Sequence, residues 1–220
     1  MPLLLRPATE ADTARLGRIG RDAFRDTVSL VLFPPHLACK SPTGDPDVDE
    51  VQWRDDRSLQ RMRDGNLTFV VVDAPDRGSE AGEIVGFSQW ELPAPPNAAP
   101  AQANQVALPG SLDQEALQHL FTALDRESHR LLGPDGHSNM WYLMLLAIDP
   151  DQQRRGIGRM LAKHGIDLAA KVGKDVFLVA TPEGKPLYQS LGFRQLGDSF
   201  DVLGTIYSAM LWSSEPRVTS

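Results

Sequence analysis

The sequence predicts a protein of the α/β class, and two features of the chain carry that prediction. Its second half alternates strand patterns with helix patterns, the order that is typical of α/β folds. Its first half holds two runs rich in β-branched and aromatic residues, joined by a polar segment with glycine, which predict an antiparallel hairpin. No repeat with a period of roughly 20 to 50 residues is present, so repeat architectures are excluded.

Three strands and two helices are predicted in the first half. The first helix begins at Thr9, where Asp12 completes a pattern like a capping box, and runs to about Phe24. Four prolines between 34 and 46 interrupt the next segment, which predicts an irregular excursion with a brief helical turn. The other elements are a strand at 3–9, a helix at about 48–63, and the hairpin strands at 67–73 and 83–92.

The second half opens on the segment Pro93–Gly110, whose proline and alanine content predicts a surface loop. An amphipathic helix follows at about 112–132, with Ser111 as its N-cap and Gly133 just past its end. The further elements are a strand at 141–148, a helix at 155–172, a strand from 176, a helix at about 183–191, and closing strands near 193–202 and 205–212. The length suits one domain over 1–213, followed by a C-terminal tail over 214–220.

Composition excludes several classes of function. A net charge of −7 and a pI near 5.2 argue against a nucleic-acid binder, which needs a basic face to displace counterions. No apolar run approaches the length of a membrane span, and the N-terminus lacks the apolar core of a signal peptide, so we expect a cytoplasmic protein without membrane segments. The single cysteine, Cys39, excludes an internal disulfide and a multi-cysteine zinc site.

The stretch LMLLAIDPDQQRRGIGRMLAKHG, Leu143–Gly165, places a strand, a glycine turn and a helix start in direct succession. The first backbone N–H groups of a helix have no intrahelical partner, and glycines let a ligand approach them closely. The segment 152–163 also carries four basic residues and no acidic one. The helix start therefore predicts a binding site for phosphate groups.

Four interpretations of this turn compete. A P-loop is excluded because the G-x-x-x-x-G-K-[ST] spacing is absent. A Rossmann dinucleotide site would need a glycine where Leu161 stands and an acidic residue where Ala180 and Thr181 stand. A structural turn with solvated arginines stays open, as does a site for coenzyme A.

The residues Q-R-R-G-I-G, Gln153–Gly158, resemble the [QR]-x-x-G-x-[GA] motif of the GCN5-related N-acetyltransferase (GNAT) family. The preceding LMLLAIDP is similar to that family's fourth strand, and VFLVATPEGKPLYQSLGFRQLG to its fifth strand and following helix. The opening LLLRPATEAD is similar to its first strand and helix. The resemblance covers nearly the whole chain, with an insertion between about 93 and 139. It implies the acyl-CoA N-acyltransferase (GNAT) fold, a mixed, mostly antiparallel sheet flanked by helices.

The resemblance also implies a reaction, in which an acetyl group passes from acetyl-CoA to a primary amine of a small molecule or peptide by direct attack, without a metal. Tyr188 would donate a proton to the departing thiolate. The edge of the fourth strand, at Leu146, Ala147 and Ile148, would bond the pantetheine amides of the coenzyme. The pyrophosphate would lie on the turn formed by Gln153, Arg154, Arg155, Gly156, Ile157, Gly158 and Arg159. Homodimers are common in the family.

The general base and the acceptor pocket are less sharply defined by the sequence. Glu91, at the end of the third strand, is the first candidate for the base, with Glu83, Glu183 and Asp149 behind it. Candidates to border the acceptor site are the loop histidines His36 and His137 and the tryptophans Trp53 and Trp90. Two other functions stay open: a non-catalytic acyl-CoA-binding or sensing protein of the same fold, and an interaction domain that binds no coenzyme.

Overall fold

The computed structural model describes residues 2–74, 82–94 and 106–215, and its strands form one mixed sheet. The order along the sheet is β1-β2-β3-β4-β5-β8-β6, with β7 paired to β8. All neighbouring strands are antiparallel except β4 and β5, which confirms the mixed, mostly antiparallel sheet. The strands are β1 Leu3–Pro7, β2 Leu67–Asp73, β3 Glu83–Glu91, β4 Trp141–Ile148, β5 Val176–Ala180, β6 Arg194–Gln195, β7 Phe200–Val202 and β8 Thr205–Trp212.

Helices pack on both faces of the sheet. They are α1 Thr13–Ala23, α2 Leu30–Leu32, α3 Pro46–Arg63, α4 Gln114–Leu132, α5 Ile157–Lys171 and α6 Lys185–Ser190. Successive side chains of β2 point to opposite faces of the sheet, as in any β-strand. Phe69 and Val71 belong to the core under α5, whereas Val70 and Val72 belong to the core under α1.

Local signals explain where α1 and α3 begin. The Asp12 carboxylate accepts a hydrogen bond from the backbone N–H of Thr9 at 2.7 Å, ahead of α1. Asp45 caps α3 by accepting from the N–H of Asp47 at 2.9 Å, and Pro46 occupies the first helical position, where its missing N–H costs nothing. Both helices therefore begin close to the predicted residues.

The segment after α1 is more helical than predicted. A π-helical turn at Arg25–Ser29, the short α2, and a 3-10 helix at Pro35–Lys40 replace the expected irregular excursion with a brief helical turn. Leu32 and Phe33 of this segment pack into a core with Trp53 and Leu117. Tertiary burial of these apolar side chains thus compensates for the prolines that the sequence pattern counts against helix.

The cap of α4 also differs from the prediction. Asp113, not Ser111, caps this helix, and its carboxylate accepts from the N–H of Ala116 at 3.0 Å. The Ser111 hydroxyl is fully buried and donates instead to Asp49 at 2.6 Å. Of the predicted surface loop, residues 93–94 and 106–110 have no helix or strand, and 95–105 lie outside the described residues.

Close packing of α5 on the sheet sets the height of the helix above β4. Gly165 faces Trp90, and a methyl group at that position would overlap the Trp90 ring. Trp90 is fully buried, and its indole N–H donates to the Ser88 hydroxyl at 2.9 Å. The short connection from Ile148 to Ile157 places the N-terminus of α5 at the carboxyl end of β4.

The strands β4 and β5 diverge where the helix begins. They pair only over Trp141–Leu143 of β4 and 176–178 of β5. On the other side of β4, the pairing with β3 shifts between Gln89 and Trp90, which leaves Met144 as the extra residue of a β-bulge. Beyond Met144 the β4 edge that faces β5 has no strand partner among the residues described, and this opening leads into the cavity below.

Candidate active site

A cavity of about 790 Å³ runs from the start of α5, along β4, to the space between α1, α3 and α4. Its volume lies in the range of small-molecule and cofactor sites. One half is lined by β4, the turn before α5, and α6. The other half is lined by the end of α1, by α3 and by α4. A ligand that enters at α5 and a second that enters at α3 would therefore meet beside β4.

The turn before α5 presents free backbone donors. Gly156 adopts a left-handed conformation (φ 82°, ψ 4°), and Arg154 is also left-handed (φ 64°). A side chain at Gly156 would meet no atom within 4 Å, so conformation, not space, favours glycine there. No side chain caps the helix, and the first N–H groups from Ile157 onward have no intrahelical acceptor. The left-handed Gly156 is also why α5 begins at Ile157 and not at Arg155.

The structure brings together most of the residues predicted to bind the coenzyme. Leu146, Ala147, Ile148, Gln153, Arg154, Gly156, Ile157, Gly158 and Arg159 all line the cavity. Arg155 does not. Its guanidinium binds Asp73 at 2.7 Å and donates to the Gln152 side chain, so its cation is already paired.

Tyr188 lies in α6 with 8% of its surface exposed, and it lines the same cavity. Its ring packs edge-on against Phe193 with centroids 5.7 Å apart. Burial raises the pKa of the Tyr188 hydroxyl well above its usual value, because the charged form would lose solvation. The hydroxyl is therefore protonated at neutral pH and can act as a donor.

Glu91, the first candidate for the base, ends β3 opposite Tyr142 of β4. Tyr142 lines the cavity, whereas Glu91 is not among the lining residues. Burial raises the pKa of Glu91 above its usual range, and the charge of Arg61 partly offsets this effect. Burial and the nearby Glu91 charge raise the pKa of Tyr142 to about 12. Glu91, Tyr142 and Arg61 thus interact electrostatically at one wall of the cavity.

The other predicted carboxylates divide into two groups. Arg15 binds both Glu83, at 2.7 Å, and Asp149, at 2.6 Å, so these two carboxylates have a cation partner. Glu183 is exposed and lines the cavity beside α6. Long-range pairing by Arg15 could not be read from the sequence, because its partners lie 68 and 134 residues away.

The aromatic candidates for the acceptor pocket also divide. Trp53 lines the cavity, and Trp90 belongs to the core under α5. His36 is exposed and is not a lining residue. His137 stacks on Phe177 with centroids 5.7 Å apart and is hydrogen-bonded to Ser128 at 2.8 Å, which gives it a packing role outside the lining.

Sequence reasoning named Trp53 of α3 but missed the three arginines that this helix contributes to the cavity. Arg54, Arg57 and Arg61 all line it from one side of that helix. Their spacing of three and four residues puts them on one helical face, and this was the available signal. Their importance depends on α4, which closes the cavity from a distant part of the chain.

Three further facts bear on the excluded classes. Within the ranges described above, no helix has both the length and the apolar character needed to cross a membrane. Those ranges also contain no group of three or more His, Cys, Asp or Glu side chains arranged to hold a metal ion. Cys39 is exposed, and its thiol lies 3.8 Å from the carbonyl oxygen of His36.

Comparison with known protein families identifies one match. Residues 96–214, more than half of the chain, match the family described as "Acetyltransferase (GNAT) domain". The match includes β4, the glycine turn, α5, β5 and α6, which are the elements around the end of the cavity at the start of α5.

The fold is similar to those of several solved structures. An acetyltransferase from Corynebacterium glutamicum, described as histone acetyltransferase HPA2 and related acetyltransferase, has 24% identity and a TM-score of 0.57, with 99% of this chain and 100% of that chain covered. The protein yncA from Salmonella typhimurium, solved with its cofactor acetyl-CoA, has 16% identity and a TM-score of 0.53, with 100% and 98% covered. A phosphinothricin acetyltransferase from Sinorhizobium meliloti, solved with acetyl-CoA, has 15% identity and a TM-score of 0.54, with 97% and 89% covered. At these identities the likeness concerns the fold.

Proposed function

The chain belongs to the GNAT family of acetyltransferases, and we propose that it transfers an acetyl group from acetyl-CoA to a primary amine of a small molecule or peptide by direct attack. The observation that carries the proposal is the uncapped, left-handed glycine turn before α5, which opens into the cavity where β4 and β5 diverge. The similar proteins solved with acetyl-CoA support the choice of ligand. The domain bounds 1–213, a cytoplasmic location and a homodimer stay predictions.

The residues of this region fit coenzyme A in two independent ways. The backbone N–H groups from Ile157 to Arg159 suit a pyrophosphate, because a helix N-terminus carries partial positive charge and uncapped donors. The β4 edge at Leu146–Ile148 lacks a strand partner toward β5, so its backbone groups can bond an extended arm with amide groups. Arg154 and Arg159 add cations at the same end of the cavity.

Tyr188 is proposed to protonate the departing sulfur. Bound acetyl-CoA would supply the activated thioester, and the tyrosine hydroxyl would supply the proton at the cavity wall. Its raised pKa keeps the hydroxyl protonated throughout the neutral range, as a general acid requires. Its packing against Phe193 holds the ring in one orientation.

Glu91 is proposed as the general base, acting through Tyr142 or an ordered water because it does not itself line the cavity. Its pKa is raised by burial, which brings the carboxylate closer to the range in which a base is effective near neutral pH. The group must be ionised to accept a proton, so activity that depends on it falls as the pH drops through this raised pKa. The acid limb of kcat/KM should therefore lie above the ordinary glutamate value.

Glu91→Gln should lower kcat/KM by about 10²-fold and flatten this acid limb, because the amide cannot accept the proton. The pH profile of kcat/KM, followed by thiol release, measures both effects. Glu83→Gln is the matched control, since Glu83 lies at the opposite end of β3 and is bound by Arg15. An unchanged acid limb in Glu91→Gln would exclude Glu91 as the base.

A non-catalytic acyl-CoA-binding or sensing protein of the same fold is the alternative. It would use the turn before α5 without using the Tyr188 hydroxyl. Coenzyme binding does not distinguish the two functions, whereas thiol release in the presence of an amine does.

Acetyl-CoA and free coenzyme A should each raise the melting temperature of the full chain, because both would bind only the native state. A nicotinamide dinucleotide is the control ligand and should cause no shift, since the dinucleotide fingerprint is incomplete at Leu161. Thiol release with a panel of primary amines then tests transfer. An unchanged melting temperature with both coenzyme forms would overturn the proposed function, and binding without any thiol release would favour the sensing protein.

A further inference from the structure

The half of the cavity that is lined by the end of α1, by α3 and by α4, which we call the acceptor half, has an uneven charge distribution. Three arginines of α3 line it, and each is partly buried. Arg54 is compensated, because its guanidinium binds Glu50 at 2.7 Å and donates to the Ser29 hydroxyl at 3.1 Å. The other two arginines have no such compensation.

Arg57 lies between two aromatic rings. Its guanidinium carbon is 5.1 Å from the centroid of Trp53 and 4.8 Å from that of Phe121. The structure gives it no hydrogen bond and no ion pair with any residue in 2–74, 82–94 or 106–215. Ring faces attract a cation but do not neutralise it, so Arg57 keeps all its hydrogen-bond donors for a ligand.

Arg61 follows one turn later on the same face. It donates through Nη1 to the side-chain oxygen of Gln89, a neutral group that is fully buried on β3. Glu91 attracts Arg61 electrostatically, yet no carboxylate of the described chain lies within the 4 Å of an ion pair. Gln89 therefore orients the guanidinium without forming an ion pair, and the more distant Glu91 compensates its charge only in part.

Burial and the neighbouring arginines destabilise these two cations. Burial, then Arg61 and Arg54, lower the pKa of Arg57 to about 9. Burial is also the main cause that lowers the pKa of Arg61, to about 10. Both groups are still charged at neutral pH. Two partly buried charges without an ion-pair partner are unfavourable unless a ligand supplies one.

The remaining lining shows what else such a ligand needs. Asp22 is already bound by Arg21 at 3.1 Å and by Arg25 at 3.3 Å, and Asp26 is exposed. The part of the wall next to α3 is apolar and consists of Leu117, Leu120 and Leu124 of α4 with Val28. An amphiphilic molecule with one anionic group fits these surroundings.

We infer that the acceptor amine carries an anionic group, a carboxylate or a phosphate, that binds Arg57 and Arg61, with an apolar portion against α4. This inference rests on the proposed function, because it names the substrate class of the same site. A planar guanidinium fork matches the oxygens of both anions, which is why both are retained as ligands. The amine would then point toward β4, where the two halves of the cavity meet.

The test measures the binding of three matched probes to the full chain, with and without coenzyme A, by calorimetry. The probes are 4-phenylbutyrate, 4-phenylbutylphosphonate and the neutral 4-phenylbutanol. At least one anion should bind about tenfold or more tightly than the alcohol, because charge-assisted hydrogen bonds are the stronger ones. The ranking of the two anions identifies which group the site accepts.

Two variants connect any preference to the arginines. Arg57→Met and Arg61→Met keep much of the side-chain volume and remove the charge, so each should abolish most of the preference. Arg63→Met is the matched control on the same helix, where the arginine is exposed and binds Glu10 at 3.0 Å. Its anion preference should equal that of the wild type. Arg57→Met breaks no hydrogen bond and removes a partly buried charge, so its melting temperature should stay close to that of the wild type. Arg61→Met leaves the buried side-chain oxygen of Gln89 without its donor, so its melting temperature should fall.

Arg57→Lys and Arg61→Lys distinguish loss of charge from misfolding. Each variant keeps the positive charge that the methionine variant removes, but lacks the guanidinium group. They should recover part of the anion preference. The inference is overturned if the alcohol binds as tightly as both anions, if none of the three probes binds, or if the preference survives in both methionine variants.

Failure here is separable from failure of the proposed function. Thiol release with phenylalanine and with phenethylamine compares an amine that bears a carboxylate with one that does not. Equal or better use of phenethylamine would overturn the anion inference and leave acetyl transfer intact. Absence of coenzyme A binding would overturn the proposed function, and the probe titrations without coenzyme would then decide the anion site alone.

Discussion

Gly158→Asp should lower the affinity for coenzyme A by about two orders of magnitude while leaving the fold intact. Gly158 lies in the first turn of α5 and lines the cavity. At an effective dielectric constant near 20, two unit charges about 5 Å apart repel each other by about 3 kcal/mol, which is the size of this loss. A titration of coenzyme A by calorimetry measures it directly.

The fold should tolerate this substitution for two reasons. A Cβ at Gly158 would meet the end of the Leu187 side chain at 3.1 Å, and this flexible terminus can move. An aspartate in the first turn also interacts favourably with the helix dipole, so the melting temperature without ligand should stay close to that of the wild type.

Gly158→Asn is the matched control, because it has nearly the same size without the charge. Its affinity should fall much less than that of Gly158→Asp. Equal losses in the two variants would mean that bulk, not charge, is responsible. Unchanged affinity in both would contradict the placement of the pyrophosphate at α5.

Tyr188→Phe should lower kcat by about 10²-fold or more and change the affinity for coenzyme A by less than about threefold. General acid catalysis by a positioned side chain commonly contributes 10²- to 10⁴-fold, and the phenyl ring keeps the packing against Phe193. A large loss of kcat with a nearly unchanged affinity for coenzyme A identifies a group that acts in the transition state and not in binding. Steady-state thiol release and a coenzyme titration measure these two quantities.

Tyr207→Phe provides the comparison for the loss of a hydroxyl. Tyr207 is also buried and lines the same cavity, and its ring stacks on Phe200 with centroids 6.1 Å apart. Its turnover should change much less than that of Tyr188→Phe. If the two variants lose turnover equally, or if Tyr188→Phe keeps wild-type turnover, Tyr188 is a packing residue.

The elements of the fold follow largely from local sequence. The run at 67–73 forms a strand because β-branched and aromatic residues pack well on a sheet buried on both faces. Asp45 and Pro46 begin α3 through interactions within one turn. The segment after α1 departs from its local pattern because Leu32 and Phe33 find a core partner in Trp53, about twenty residues further along the chain.

The candidate site divides in the same way. The turn from Gln153 to Gly158 is local, since its glycine conformation, its free N–H groups and the helix behind it come from consecutive residues. The general base and the acceptor pocket, in contrast, depend on residues that are far apart in the sequence. Whether Glu83, Asp149 or Glu91 has a cation neighbour depends on where Arg15 and Arg61 are carried by their helices.

By itself, the sequence determined most of the strands and helices and the glycine turn before α5 that carries the family resemblance, because these depend on residues close together in the chain. The tertiary structure decided that Arg155 is paired with Asp73, that Glu91 lies outside the cavity lining, and that Arg57 and Arg61 line the cavity without an ion pair. Charge compensation is a property of distances in space. Residues of α3, α4 and β4 are far apart in the sequence, so the distances between them are set only when the chain folds.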